Sequence, residues 1–194
     1  MIAGTLELLA EIGVAPGEIN LFIHGTTLAT NTIIERKGAV TVLIATEGFR
    51  DILDIADEGR YDQYDIFIEK QVALVPRFRR LTVPERIDAA GVVLRPLDEA
   101  AVRALLPELD RLGAASVAVA FLHSYASAVH ERRVREILAE ARPGLAVTLS
   151  SEVCPEVREY ERTSGQTSLE RVTASPGRAS AKISRTRRSW TALA

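Results

Sequence analysis

Two unbroken apolar runs constrain this chain most. AVTVLIAT (39–46) and SVAVAFLHS (116–124) hold almost no polar residue until they end. A strand with one wet face alternates apolar and polar side chains. A continuous β-branched run needs cover on both faces, which is the environment of a parallel sheet sandwiched by helices. NLFIHG (20–25) reads the same way, and LAVTLSSEV (145–153) is a fourth strand candidate.

The segments between these runs carry helical signals. Leu6, Leu8, Leu9 and Ile12 predict a short amphipathic helix stopped by Gly13, and APGE (15–18) is a turn. Thr30 or Asn31 is positioned to cap a helix through NTIIERKG, with Gly38 at its C-terminal end. A short helix is expected over 49–56. Two antiparallel strands are expected within 74–98, around Pro76 and Pro84 with DAAG as the turn. Asp98 should cap a helix with Val102, Leu105, Leu106 and Leu109 on its apolar face, ended by Gly113. HERRVREILAEARPG (130–144) is a second amphipathic helix. Helix–strand–helix–strand in the second half favours parallel pairing, and the fold class is α/β.

Composition narrows the function classes. The 194 residues allow one domain or one and a half. Aromatic residues are only 5%, so the core rests on Leu, Val, Ile and Ala. A net charge of −2 makes no electrostatic case for nucleic acid or an anionic membrane, and no apolar run has the length of a membrane span. The N-terminus lacks a signal-peptide pattern, and the single cysteine, Cys154, fits a reducing compartment. The expectation is a cytoplasmic protein without disulfides. Residues 163–194 carry six Lys/Arg and one acid, net +5, leaving −7 for residues 1–162. Eleven of those 32 residues are Ser or Thr and the apolar ones show no period, so a disordered basic tail is expected there. A nucleic-acid arm is the alternative, and a nonfunctional extension the reading preferred.

Several stretches carry chemistry. In HGTTLATN (24–31), hydroxyls, backbone N–H groups and a helix start make a place for an anion. The same residues also serve a capped strand-to-helix connection, and the pattern alone favours that. No Walker loop or GxGxxG is present. GFRD (48–51) and GRYDQYD (59–65) cluster Arg50, Arg60, three aspartates and two tyrosines, either as a site or as a salt-bridged surface. His123-Ser124-Tyr125 ends a buried strand, a usual place for functional side chains in open α/β sheets. In SSEVCPEVREYERTS (150–164), Glu156, Glu159 and Arg162 read as ion pairs on one helical face. Cys154 has no partner at zinc spacing, and no metal ligand set is expected.

Eight segments in order carry a resemblance: HGTTLATNTIIERKGA, TEGFRDILDI, RYDQYDIF, LVPR, ERIDAAGVVLRPLDE, VAFLHSYA, HERRVREI and SSEVCPEVREYERTS. Over residues 4–164 the chain resembles the N-terminal region of the hydantoinase A / 5-oxoprolinase family, which includes acetone and acetophenone carboxylase subunits. The resemblance implies part of an actin-like ATPase (ribonuclease H-like) lobe with an inserted α+β segment. It implies ATP and Mg²⁺ as cofactors, a small cyclic amide as substrate and a hydantoinase B type partner subunit. The implied reaction activates the amide oxygen by phosphorylation so that water opens the ring. Ketone carboxylation, or a non-catalytic module completing a separate partner, are the alternatives. The implied binding residues are His24, Gly25, Thr26, Thr27, Thr30 and Asn31. Arg50, Asp51, Arg60, Tyr61, Tyr64, Asp65, His123, Ser124 and Tyr125 are implied to border the cleft. The family's Asp-x-Gly-Gly-Thr phosphate loop is not in this sequence, and nothing after Ser164 resembles the family. A truncated or frameshifted member, inactive and poorly soluble alone, is therefore expected.

Overall fold

The structure is a computed structural model and describes residues 10–11, 13, 15, 28–56, 64–65, 67 and 72–173. The predicted helix over 4–13, the strand NLFIHG and the residues His24, Gly25, Thr26, Thr27, Arg60 and Tyr61 lie wholly or largely outside them.

Four strands form one parallel sheet in the order β2-β1-β5-β6, where β1 is Thr41–Thr46, β2 Arg80–Val83, β5 Ser116–Ala120 and β6 Ala146–Leu149. Every pairing among them is parallel, with Thr46 beside Val83 and Ala45 beside Ala120. The two apolar runs are the central strands β1 and β5, and both are buried along their whole length. Period-two alternation divides their side chains between two cores. Val42, Ile44, Val117, Val119 and Phe121 pack with Val83, Val102, Leu109, Val134, Ile137 and Leu138. On the other face, Leu43, Ala118 and Ala120 pack with Leu53 and Val75, and Tyr160 closes that smaller core.

Helix α1 (Leu28–Ile34) precedes β1. It starts before the capping residues expected from the sequence: Thr30 and Asn31 lie within it, and its last turn ends on Arg36 in the left-handed region at φ 55° rather than on Gly38. Arg36 tolerates that backbone because its guanidinium bonds the carbonyls of Val72 at 2.7 Å and Ala73 at 3.4 Å. Helix α2 (Ile52–Ile55) is one turn long, shorter than the segment 49–56 assigned to it.

The region 74–98 corrects another expectation. Its first strand, β2, joins the parallel sheet, and Pro84 separates it from a two-stranded antiparallel hairpin, β3 (Arg86–Ile87) and β4 (Val93–Arg95). The DAAG turn closes that hairpin: Asp88 Oδ1 accepts from Ala90 N at 2.9 Å and Val92 N at 2.8 Å, while Gly91 takes φ 85°.

Asp98 caps as expected, accepting from Ala101 N at 2.9 Å, but Pro107 divides the following helix into α3 (Glu99–Ala104) and α4 (Leu106–Arg111). Helix α5 (Val129–Ala141) then leads to β6. That strand ends at Leu149, and Ser150–Val153 form a helical turn, α6, where a continued strand was expected. Ser150 and Ser151 turn there because their hydroxyls bond a buried carboxylate on α5, described below.

The unpacked tail expected from residue 163 does not begin there. Helix α7 spans Glu159–Thr173 and buries Arg162, Thr163, Gln166 and Thr167. Gln166 Nε2 reaches the carbonyls of Val119 at 3.2 Å and Thr148 at 2.7 Å, so polar side chains dock this helix on the sheet and no apolar period was visible. Residues 174–194 lie outside the described ones. Among the described residues no helix is long and apolar enough to cross a membrane.

Candidate functional site at the carboxyl ends of the strands

The chain leaves β1 across the face of the smaller core, through α2, and returns in β2. It leaves β5 across the opposite face, through α5, and returns in β6. Adjacent strands whose connections depart to opposite faces leave a crevice between their carboxyl ends, and open α/β sheets bind ligands at such switch points. Here that place is the gap between β1 and β5. It holds an open recess of about 200 Å³ lined by Thr46, Phe49, Ile52, Phe121, Leu122, Glu159, Arg162 and Thr163, among others.

Three polar networks meet around it. Thr46 Oγ1 donates to Glu85 Oε1 and accepts from Leu122 N at 3.0 Å. His130 Nδ1 stands 2.8 Å from Glu85 Oε2, the arrangement of a ring N–H donating to a carboxylate. Glu85 and His130 are both buried. One hydrogen-bonded line thus runs from α5 to the end of β1.

The second network centres on Glu131, also buried. Its Oε1 accepts from Phe121 N at 3.1 Å and Ser150 Oγ at 2.6 Å. Its Oε2 accepts from Ser151 N at 3.1 Å and Ser151 Oγ at 2.6 Å. Ser124 Oγ, 2.9 Å from Ser150 Oγ, extends it.

The third is Arg162, 1% exposed. Its Nη1 donates to the carbonyls of Glu156 at 2.6 Å and Val157 at 3.2 Å, and its Nη2 to that of Phe121 at 3.1 Å. The guanidinium carbon lies 5.6 Å from the centre of the Tyr125 ring. Its Nε is buried without an acceptor, and the nearest recorded carboxylate oxygen, Glu159 Oε1, is 3.8 Å from Nη2.

The site residues expected from the sequence distribute unevenly. Tyr125 stands under Arg162, with His123 in edge contact at 5.9 Å and in the left-handed region at φ 55°. Ser124 points instead into the Glu131 network. Phe49 and Ile52 line the recess, whereas the GFRD charges between them turn away. Arg50 Nη2 donates to the carbonyl of Arg77 at 2.9 Å, and Asp51 takes a two-pronged bond from Arg77 at 2.7 and 3.0 Å. That bond holds the Asp51 carboxyl below its ordinary range, and Arg80 does the same for Asp54. Asn31 is exposed on α1, and Tyr64 and Asp65 are exposed. Nothing is described of the Thr30 side chain.

Sequence reasoning missed Thr46, Glu85, His130 and Glu131 as site residues; it read Arg162 as an ion pair on a helical face, and the structure has that pair with Glu159 at 3.8 Å but buries the guanidinium. The available signal was position. Thr46 ends β1, Glu85 follows β2 by two residues, and a polar residue just past a buried strand is worth attention in this fold class.

Among the described residues no group of three or more His, Cys, Asp or Glu side chains is placed to hold a metal ion. Three of the five Arg162 N–H groups are on backbone carbonyls.

A family model described as the hydantoinase/oxoprolinase N-terminal region matches residues 2–142. The caprolactamase alpha subunit of Pseudomonas jessenii is 35% identical over 167 residues, covering 83% of this chain and 24% of that protein. The acetophenone carboxylase gamma subunit of Aromatoleum aromaticum is 35% identical over 158 residues, covering 75% and 22%. The crystal structure of the ATP-dependent caprolactamase from P. jessenii superposes with a TM-score of 0.76 at 33% identity, covering 90% of this chain and 26% of that one. The chain thus spans about a quarter of the length of these relatives.

Proposed function

The chain belongs to the hydantoinase/oxoprolinase family through its N-terminal region, and from that premise we propose that it is part of one lobe of an ATP-dependent enzyme opening a cyclic amide. The superposition on the ATP-dependent caprolactamase, over 90% of the chain, carries this reading. The lobe would be of the actin-like kind. A partner subunit of the hydantoinase B type belongs to the same proposal, supported by the relatives' names as alpha and gamma subunits. His24, Gly25, Thr26 and Thr27 are proposed to contact the substrate or a terminal phosphate. The chain's own contribution is to orient the β1 and β5 ends; alone, it is proposed to be inactive. Equal identity to the acetophenone carboxylase subunit supports a second reading, a ketone carboxylase subunit.

A chimera tests both. In the caprolactamase alpha subunit, this chain replaces the matched quarter, and ADP release is measured with the partner subunit present. Release stimulated by a lactam supports the first reading. Release stimulated by a ketone with bicarbonate supports the second. A cooperatively melting chimera that responds to neither overturns both.

A further inference from the structure

We propose that the recess between the ends of β1 and β5 binds one small anionic oxygen group, phosphoryl or carboxylate, and that Arg162 is its ligand. The inference does not depend on the reaction proposed above. It rests on two separate observations. One is topological: the recess stands at the switch point of a parallel sheet, where ligands of such sheets bind.

The other is the state of Arg162. The guanidinium lines the recess at 1% exposure, and its recorded ion-pair partner, the partly exposed Glu159, stays 3.8 Å from Nη2, outside hydrogen-bond distance. A buried cation is normally paired, because taking it out of water is costly without a counter-charge. Backbone carbonyls account for three of its five N–H groups, and the buried Nε–H has no acceptor. An anionic oxygen in the recess supplies the missing acceptor, and a counter-charge closer than the Glu159 carboxylate at 3.8 Å. The guanidinium fork suits carboxylate and phosphoryl oxygens equally. Thr46 and Thr163 line the same recess.

Glu159 gives the proposal its sharpest consequence. It lines the recess as well, and its carboxylate is the opposing charge that an incoming anion meets. Its removal should therefore help the ligand, whereas a purely structural Arg162–Glu159 pair predicts no ligand at all.

The test is NMR of the full ¹⁵N-labelled chain, titrated separately with inorganic phosphate and with acetate. A saturable shift of the Leu122 and Thr163 amides is expected from at least one anion. Phosphate alone identifies a phosphoryl group, and acetate alone a carboxylate. Glu159→Gln should tighten the binding about fivefold. Arg162→Met should abolish it. If that variant fails to fold, Arg162→Lys, which keeps the charge and loses the fork, should weaken binding about tenfold. The absence of a saturable shift with either anion overturns the proposal, as does binding unchanged by Glu159→Gln and by the folded Arg162 variant.

Discussion

Two buried charges grip the same residue, Phe121, from opposite faces of the sheet. Glu131, on α5, accepts from the N–H of Phe121, and Arg162, on α7, donates to its carbonyl. The first is saturated: its two oxygens take four hydrogen bonds from Phe121, Ser150 and Ser151. The second is not, since its buried Nε–H has no acceptor and its recorded carboxylate, Glu159, stands 3.8 Å from Nη2, beyond hydrogen-bond distance. A saturated buried charge is a structural fastener, because every donor around it depends on it. An unsaturated one has capacity left for something else. The difference separates scaffold from candidate site within a few ångströms of one residue.

Mutation should expose that asymmetry. The largest effect is expected from Glu131→Ala, which strands four hydroxyl or amide donors beside a new cavity; a loss of about 3–5 kcal/mol in a denaturant melt is expected. A loss under 1 kcal/mol would contradict the role of fastener. Leu138→Ala, in the larger core, should fall in the same range of about 2–5 kcal/mol. Breaking the neighbouring relay with His130→Ala should cost less, about 1–3 kcal/mol, since Glu85 keeps its bond from Thr46. Arg162→Met should be milder still, about 1–2 kcal/mol, because it also removes an unsatisfied buried N–H and leaves only the partly exposed Glu159 without its partner. If Arg162→Met proves as costly as Glu131→Ala, the two charges do the same work and the comparison fails.

The smallest expected effect is a pH dependence. Asp51 and Asp54 have carboxyls held below the ordinary value of 3.8, chiefly by hydrogen bonds from Arg77 and Arg80. A lowered folded-state value means stability fully present above that ordinary value and lost as pH falls through the lower one. Asp51→Asn and Asp54→Asn should therefore destabilise slightly at neutral pH. The gap to the unsubstituted chain should narrow as pH falls below about 3.8 and through the lowered folded-state values, read from melts across an acid series. A gap that narrows nowhere in that series would sink the assignment. Both pairs are substantially exposed on the aspartate side, so salt should shrink the effect.

Much of the α/β frame was legible before any coordinates. Continuous apolar residues in 39–46 and 116–124 leave no wet face for a strand, so both had to be central. Asp98 and Gly113 marked helix ends because each does a backbone job that few other residues do. Helix α7 was illegible for the opposite reason. It docks through Arg162, Gln166 and Thr167 rather than an apolar stripe, and a polar sequence with Ser and Thr reads as unpacked. Around GFRD the residues named from the sequence, Arg50 and Asp51, turn to Arg77, while Phe49 and Ile52, not named, reach the recess.

What the sequence determined by itself is therefore local and periodic: central strands, caps, turns, and membership of a family through segments matched in order. What only the tertiary structure decided is which polar side chains meet. Thr46, Glu85, Phe121, His130 and Arg162 are spread over more than a hundred residues, and they converge because parallel strands bring every carboxyl end to one edge of the sheet. Nor does a sequence say which buried charge is saturated. That depends on how many donors and acceptors the packed neighbours happen to offer, and at Phe121 they satisfy the carboxylate and leave the guanidinium wanting.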